Sequence, residues 1–354
     1  MRSLPAWLQS LQKKLRATPR ERHPVDVGKV IADALASAGL SQKVARVEVP
    51  ASPAKRSDVE PGRFAWCTYG DGRDELKYKL YVPSCYAASS APLPLIVMLH
   101  GCTQDPDDFA VGTRMNALAE EHAFLVAYPQ QPVGANSSKC WNWFRPQDQV
   151  RDGGEPKRIA GMTQAIIATY RIDAKKVFVA GMSAGGAMAV IMGRTYPDVY
   201  AAVAVHSGLP YQCANNVVSA LTVMKKSDAA LPVRHLPPVS TPIIVFHGDC
   251  DGTVEQGNGA GIIDQAIENW PGTLSTDRHA PERIGGRTYA REVYRDTHGI
   301  EALEAWTIHG GAHLWSGGDV NGSHTDAMGP NASEQFVRFF NAQAPRIQLN
   351  STQH

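Results

Sequence analysis

The chain has 354 residues, 43% of them hydrophobic and 19% charged, a balance that fits a folded globular protein and excludes a disordered or low-complexity chain. Its 35 basic and 34 acidic side chains leave a formal charge of +1, so no general attraction to nucleic acid or to an anionic membrane surface is expected.

Residues 1–60 read as a helical appendage, in which Lys13, Lys14, Arg16, Arg20 and Arg22 precede the periodic stretch VDVGKVIADALASAGL. The basic run is short, and a solvated helix face explains it better than a tether to an anionic surface. Pro50, Pro53 and Pro61 mark the end of this region. The first residues lack the continuous apolar core of a signal peptide. Val177 to Gly193, free of charged residues, holds four glycines and falls short of the roughly 20 residues that span a bilayer. The expectation is a chain with no transmembrane segment, located in the cytoplasm, with secretion as the alternative.

From residue 61 the pattern alternates short apolar runs with amphipathic stretches. LKYKLYVP near residue 76, LPLIVMLHG ending at Gly101, FLVAYP ending at Pro129, KVFVAG, AAVAVHSG and PIIVFHG read as strands, followed later by RTYAREVYRD and LEAWTIHGG. Helices are expected at about Asp107 to His122, Pro156 to Tyr170, Ala184 to Tyr196, Gly259 to Trp270 and Asn331 to Asn341. Such alternation predicts an α/β fold with a mixed, mostly parallel sheet covered by helices, occupying residues 61–345 as one domain before a short tail, 346–354. The six cysteines include no C-x-x-C pair, so structural zinc is not expected, and their pairing stays open because six cysteines allow 15 connectivities.

Gly181-Met182-Ser183-Ala184-Gly185 lies where the strand KVFVA gives way to an alanine-rich helix. A sharp strand-to-helix turn needs small neighbours on both sides of the serine and projects its Oγ, which makes Ser183 the candidate nucleophile. A serine hydroxyl needs an imidazole to accept its proton and a carboxylate to orient that imidazole. In an enzyme of this class the chain order is serine, acid, histidine. PIIVFHG runs into a loop where either Asp249 or Asp251 could serve. LEAWTIHGG runs into a glycine-flanked loop carrying His313, the candidate base. Its rivals fit less well: His309 falls within the strand pattern, His324 lies farther downstream, and His206 and His247 precede the loops.

The backbone N–H of Ala184, next to the nucleophile, and that of Cys102, after the strand LPLIVMLHG, are the candidate oxyanion donors. His100 reads as a structural residue bonded to that turn. Cys140-Trp141-Asn142-Trp143-Phe144 reads from composition as packing. Gly257, Gly259 and Gly261 lack the spacing and leading strand of a dinucleotide loop, and His247, Asp249 and Asp251 lack corroborating metal-ligand spacing.

Together these segments resemble the polyhydroxybutyrate depolymerase family of esterases, the short-chain-length type I catalytic domain, with feruloyl and acetylxylan esterase relatives. The resemblance runs from about Gly62 to Phe340 through LIVMLHGCTQDPDDFA, ALAEEHAFLVAYPQQ, CWNWF, GMSAGGAMA, HSGLPYQCA, HGDCDGTV, HGGAHLWSGG and TDAMGPNASEQFVRFF. It implies an α/β-hydrolase fold with helices on both faces of the sheet and a serine ester hydrolase that needs no cofactor or metal. The resemblance also implies Ser183 as nucleophile, Asp251 rather than Asp249 as acid, His313 as base, and Cys102 with Ala184 as the oxyanion hole. Trp141, Trp143 and Trp315 are implied at the border of the acyl-binding cleft. Short-chain hydroxyalkanoate oligomers, polyesters or similar short acyl esters are the implied substrates. Feruloyl or acetylxylan-type esters are the alternative, and a non-catalytic ligand-binding protein on the same fold is the contrasting class.

Overall fold

The computed structural model describes residues 62–230, 237–284, 286–344 and 346–347. The expected appendage, 1–60, and all of the expected tail except 346 and 347 lie outside the described residues.

In chain order the elements are β1 (Arg63–Tyr69), β2 (Leu76–Val82), β3 (Leu93–Leu99), α1 (Pro106–Thr113), α2 (Met115–His122), β4 (Leu125–Pro129), α3 (Gly154–Thr169), β5 (Ile172–Met182), α4 (Ala184–Thr195) and β6 (Ala202–His206). They continue with α5 (Val217–Lys225), β7 (Ile243–Gly248), α6 (Gly257–Glu268), β8 (Ser275–Ile284), β9 (Arg287–Arg295), β10 (Glu301–Ile308), the short β11 (Trp315–Ser316) and β12 (Thr325–Asp326), and α7 (Ala332–Asn341).

Ten strands form one sheet in the order β1-β2-β4-β3-β5-β6-β7-β10-β9-β8. The six from β4 to β10 pair in parallel, and an antiparallel pair extends the sheet at each edge. Alternation along each central strand divides its side chains between two apolar layers. Leu95, Val97 and Leu99 pack on the layer that holds Ile159, Met188 and Ile262 from α3, α4 and α6. Ile96 and Met98 face the opposite layer, with Phe109, Leu118 and Phe336 from α1, α2 and α7. Burial on both faces explains why these strands are nearly continuous apolar runs. This is the α/β-hydrolase fold, and its central strand, β5, leads into the candidate nucleophile.

The helix expected at Asp107 to His122 is two helices, broken at Arg114, which has φ 55° and ψ 20°.

Candidate active site

Ser183 occupies the turn between β5 and α4 with φ 55° and ψ −120°, a conformation uncommon for a residue with a side chain. The turn is held from outside: the Ser183 N–H donates to the His206 carbonyl at 2.9 Å. The flanking glycines are required by contact. A Cβ on Gly181 would lie 2.3 Å from the Gly185 carbonyl oxygen, and one on Gly185 would lie 2.0 Å from that of Leu99. Sequence and geometry therefore agree on why small residues surround the serine.

Beyond the end of β7, Asp251 is buried in a turn whose backbone binds its carboxylate. Oδ1 accepts the N–H groups of Thr253 at 2.9 Å and Val254 at 2.8 Å. Oδ2 stands 2.7 Å from His313 Nδ1 in the loop after β10. Burial alone would push the Asp251 carboxyl upward; the His313 and His247 imidazoles and their hydrogen bonds outweigh it and hold the group well below the usual carboxylate range. An ionised Asp251 can only accept, so His313 Nδ1 carries the hydrogen of this bond. Asp249 is engaged elsewhere, with Oδ2 2.9 Å from His309 Nδ1 and Oδ1 accepting the Gly310 N–H at 2.7 Å.

Two further imidazoles support these loops. His247 lies 2.9 Å from the Val254 carbonyl through Nε2, which is also 3.4 Å from Asp251 Oδ2. His206 accepts the Ser316 N–H on Nε2 at 3.0 Å and stacks on Trp315 with centroids 5.3 Å apart. Its carbonyl holds the Ser183 turn while its ring holds the loop that carries His313. Burial lowers the His206 pKa to about 3, the neighbouring His247 and His313 adding to the effect, so the ring is neutral.

An apolar cleft brings Ser183 and Ala184 together with Cys102. Leu209 contributes to its lining, and Trp143, Phe144 and a disulfide between Cys102 and Cys140 form one side. Val217, Ala220, Leu221 and Met224 of α5 form another, at the i, i+3, i+4, i+7 spacing of a single helix face.

Of the three tryptophans expected at the cleft, Trp143 lines it. Trp141 and Trp315 do not: both are buried, Trp141 Nε1 donating to the His100 carbonyl at 3.2 Å and Trp315 Nε1 to Ser333 Oγ at 3.1 Å. Their indole N–H groups need partners once buried, and these partners draw them into the framework. His100 is likewise buried in the turn after β3, as its structural reading required.

Sequence reasoning missed the α5 wall, the disulfide and the roles of His206 and His247. A signal for α5 was present: Asn216 and Ser219 form a capping box at its start. The spacing His247-x-x-x-Asp251 is also visible in the sequence.

Comparison with known proteins places these features in a family. Poly(3-hydroxyalkanoate) depolymerase C of Paucimonas lemoignei is 36% identical over 255 residues, covering 69% of this chain and 60% of that protein. Feruloyl esterase B of Neurospora crassa is 33% identical over 170 residues, 48% of this chain and 56% of that protein. The chain thus spans less than two thirds of the length of these two relatives. Among solved structures, an acetyl xylan esterase from Aspergillus awamori shares the fold with a TM-score of 0.59 at 20% identity, covering 79% of this chain and 100% of that one. The sequence profile of the family described as "Esterase PHB depolymerase" matches residues 76–276, more than half of the chain, and the protein belongs to that family.

Proposed function

We propose that the chain is a serine ester hydrolase that forms an acyl-enzyme at Ser183 and releases it with water, acting on short-chain hydroxyalkanoate oligomers or similar short acyl esters. The observation that carries this reading is the apolar cleft holding Ser183, Ala184 and Cys102, together with the ionised Asp251 bonded to His313. The catalytic unit is the domain expected at residues 61–345.

In this reading His313 Nε2 takes the Ser183 proton as Oγ attacks the ester carbonyl. The bond from Nδ1 to Asp251 fixes the tautomer and stabilises the imidazolium. Negative charge on the tetrahedral oxygen is met by the N–H groups of Ala184 and Cys102. The imidazolium then protonates the departing alkoxide, and the same ring activates water to cleave the acyl-enzyme. The apolar walls receive the acyl group and exclude water from it.

The test is parallel hydrolysis of soluble 3-hydroxybutyrate oligomers, methyl ferulate, acetylated xylan and p-nitrophenyl butyrate by the native protein and Ser183→Ala. Oligomer cleavage that disappears in the variant supports the reading. Cleavage of ferulate or xylan esters alone moves the substrate to the carbohydrate-ester class, and binding without turnover or fluorophosphonate labelling would make the chain a ligand-binding protein.

Among the described residues no helix is long and apolar enough to cross a membrane. We further propose an oxidising compartment, because the Cys102–Cys140 bond belongs to surroundings where thiols are not kept reduced. On this proposal the secreted alternative is favoured over the cytoplasmic one.

A further inference from the structure

We propose that His247 is a positioning residue that supplies the fourth donor to the Asp251 carboxylate and so moderates the hold of that acid on His313. The proposal rests on the ester-hydrolase reading above. An ionised carboxylate offers about four acceptor positions. At Asp251 two of them lie on Oδ1 and are filled by the Thr253 and Val254 N–H groups at 2.9 and 2.8 Å. Oδ2 receives His313 Nδ1–H at 2.7 Å. The same oxygen lies 3.4 Å from His247 Nε2, and both side chains are buried.

His247 is the next-to-last residue of β7, and the chain turns into the Asp251 loop just beyond it. Its Nε2 lies between two acceptors, the Val254 carbonyl at 2.9 Å and Asp251 Oδ2, so Nε2 carries a hydrogen that the two share. The opposite edge of the ring packs against α6, where a Cβ on Gly259 would lie 2.6 Å from Nδ1 and 3.0 Å from Cγ. Nδ1 is buried there without a hydrogen-bond partner among the described residues. A buried polar atom left unpaired disfavours folding, and an apolar ring would avoid that cost. What an imidazole adds at this position is its Nε2–H.

A bond to the Val254 carbonyl alone would steady the turn; the hydrogen shared with Oδ2 also acts on the chemistry. Charge drawn from Oδ2 by the His247 N–H is charge that Asp251 no longer offers to His313. The imidazolium formed as Ser183 attacks is then stabilised less than by a carboxylate that serves one ring. Such a base yields its proton more readily to the departing alkoxide and is free to accept the Ser183 proton at lower pH. Other titratable or charged groups facing this trio are His206 from β6, Lys225 from α5, His324 from the loop between β11 and β12, and Glu255 beyond the acid turn. His206 is neutral, and Lys225 donates to the Gly252 carbonyl. All four are kept when His247 alone is changed.

His247→Gln, His247→Asn and His247→Phe test the donor. Glutamine places an amide N–H near the position of Nε2, asparagine one only near Nδ1, and phenylalanine none. On p-nitrophenyl butyrate the acid limb of kcat/KM should move to higher pH by roughly half a unit to one unit in Asn and Phe, and return to its native position in Gln. Plateau kcat in Phe should fall by about 10-fold at most, far less than the roughly 10⁴-fold that follows loss of the acid's charge, with KM nearly unchanged. An acid limb that stays in place in Phe, moves to lower pH, or moves equally in all three variants would overturn the proposal. Lost stability with an unmoved limb would likewise overturn it and leave His247 a clamp of the turn alone.

¹⁵N-histidine NMR of the unmutated protein supplies a readout that no folding defect can obscure. His247 Nε2 should carry a hydrogen at neutral pH, and a ring with its hydrogen on Nδ1 alone would overturn the assignment. If the native protein hydrolyses no ester, the esterase reading fails and this inference falls with it. An active native protein whose acid limb ignores His247 overturns this inference alone.

Discussion

At the scale of single residues, the proposed acid is the position where local pattern reasoning left two answers, and the structure gives the two aspartates different partners. Asp249 and Asp251 share one loop, and nothing in the residue order separates them; the backbone does, by turning Asp251 inward to Thr253, Val254 and His313 and leaving Asp249 with His309. If the buried carboxylate holds the tautomer of His313, Asp251→Asn should lower kcat by roughly 10³ to 10⁴ while the protein stays folded. Asp249→Asn should change kcat less than about threefold, since its partner lies outside the proposed proton path. Steady-state kinetics of the two variants on one ester check this, and equal losses would place the acid wrongly. Trp141 and Trp315 show the opposite limit of sequence reading. An aromatic beside a catalytic loop looks the same in sequence whether its indole lines the cleft or, as here, its N–H bonds to framework groups.

At the scale of elements, the parallel strands were legible because burial on both faces forces long apolar runs, and the nucleophile turn because its glycines meet backbone within 2.3 Å. Other elements carried no such pattern. β8 is exposed through most of its length and is held by backbone pairing with β9, so its side chains give no apolar period. β1 likewise forms an edge and was not anticipated. α5 was missed although its apolar face forms a wall of the cleft, and that wall offers a direct test of the substrate reading. Met224→Ala and Leu221→Ala should extend the space available to the acyl group. Each added acyl methylene that becomes buried contributes about 0.8 kcal/mol, so the ratio of kcat/KM for hexanoyl over acetyl p-nitrophenyl esters should rise several-fold in either variant. An unchanged ratio would remove α5 from the acyl site.

At the scale of the whole molecule, a few buried groups bias stability with pH. His100 and His206 are lowered by burial to about 4 and about 3, against an ordinary value of about 6.5. Between pH 5 and 6.5 the unfolded chain therefore binds more protons at these sites, and stability rises with pH. Glu155, raised to about 7 by burial and by the neighbouring Asp148, acts in the other direction, because the folded state keeps its proton as pH rises from its ordinary value near 4.5. Two histidines outweigh one carboxyl, so unfolding free energy should increase by about 1 kcal/mol across this window, and Glu155→Gln should at least double the slope. Urea titrations at three pH values read both results; a native stability that falls from pH 5 to 6.5 would contradict the balance.

The disulfide acts on the same scale. It links residues 38 apart and its cysteines line the cleft, so reduction should lower stability by about 2 to 4 kcal/mol and reduce turnover together with it. Unfolding and activity measured with and without reductant check this, and full activity after complete reduction would dissociate the bond from the site.

The central claim is an acyl-enzyme at Ser183, and its most direct measurement is covalent capture. The native protein is treated with a fluorophosphonate, digested, and the modified peptide identified by mass spectrometry, with Ser183→Ala treated in parallel. One label per chain on Ser183, concurrent loss of ester hydrolysis, and an unlabelled, inactive variant are the expected results. A label on another residue, or a Ser183→Ala protein that still hydrolyses esters at the native rate, would contradict the account.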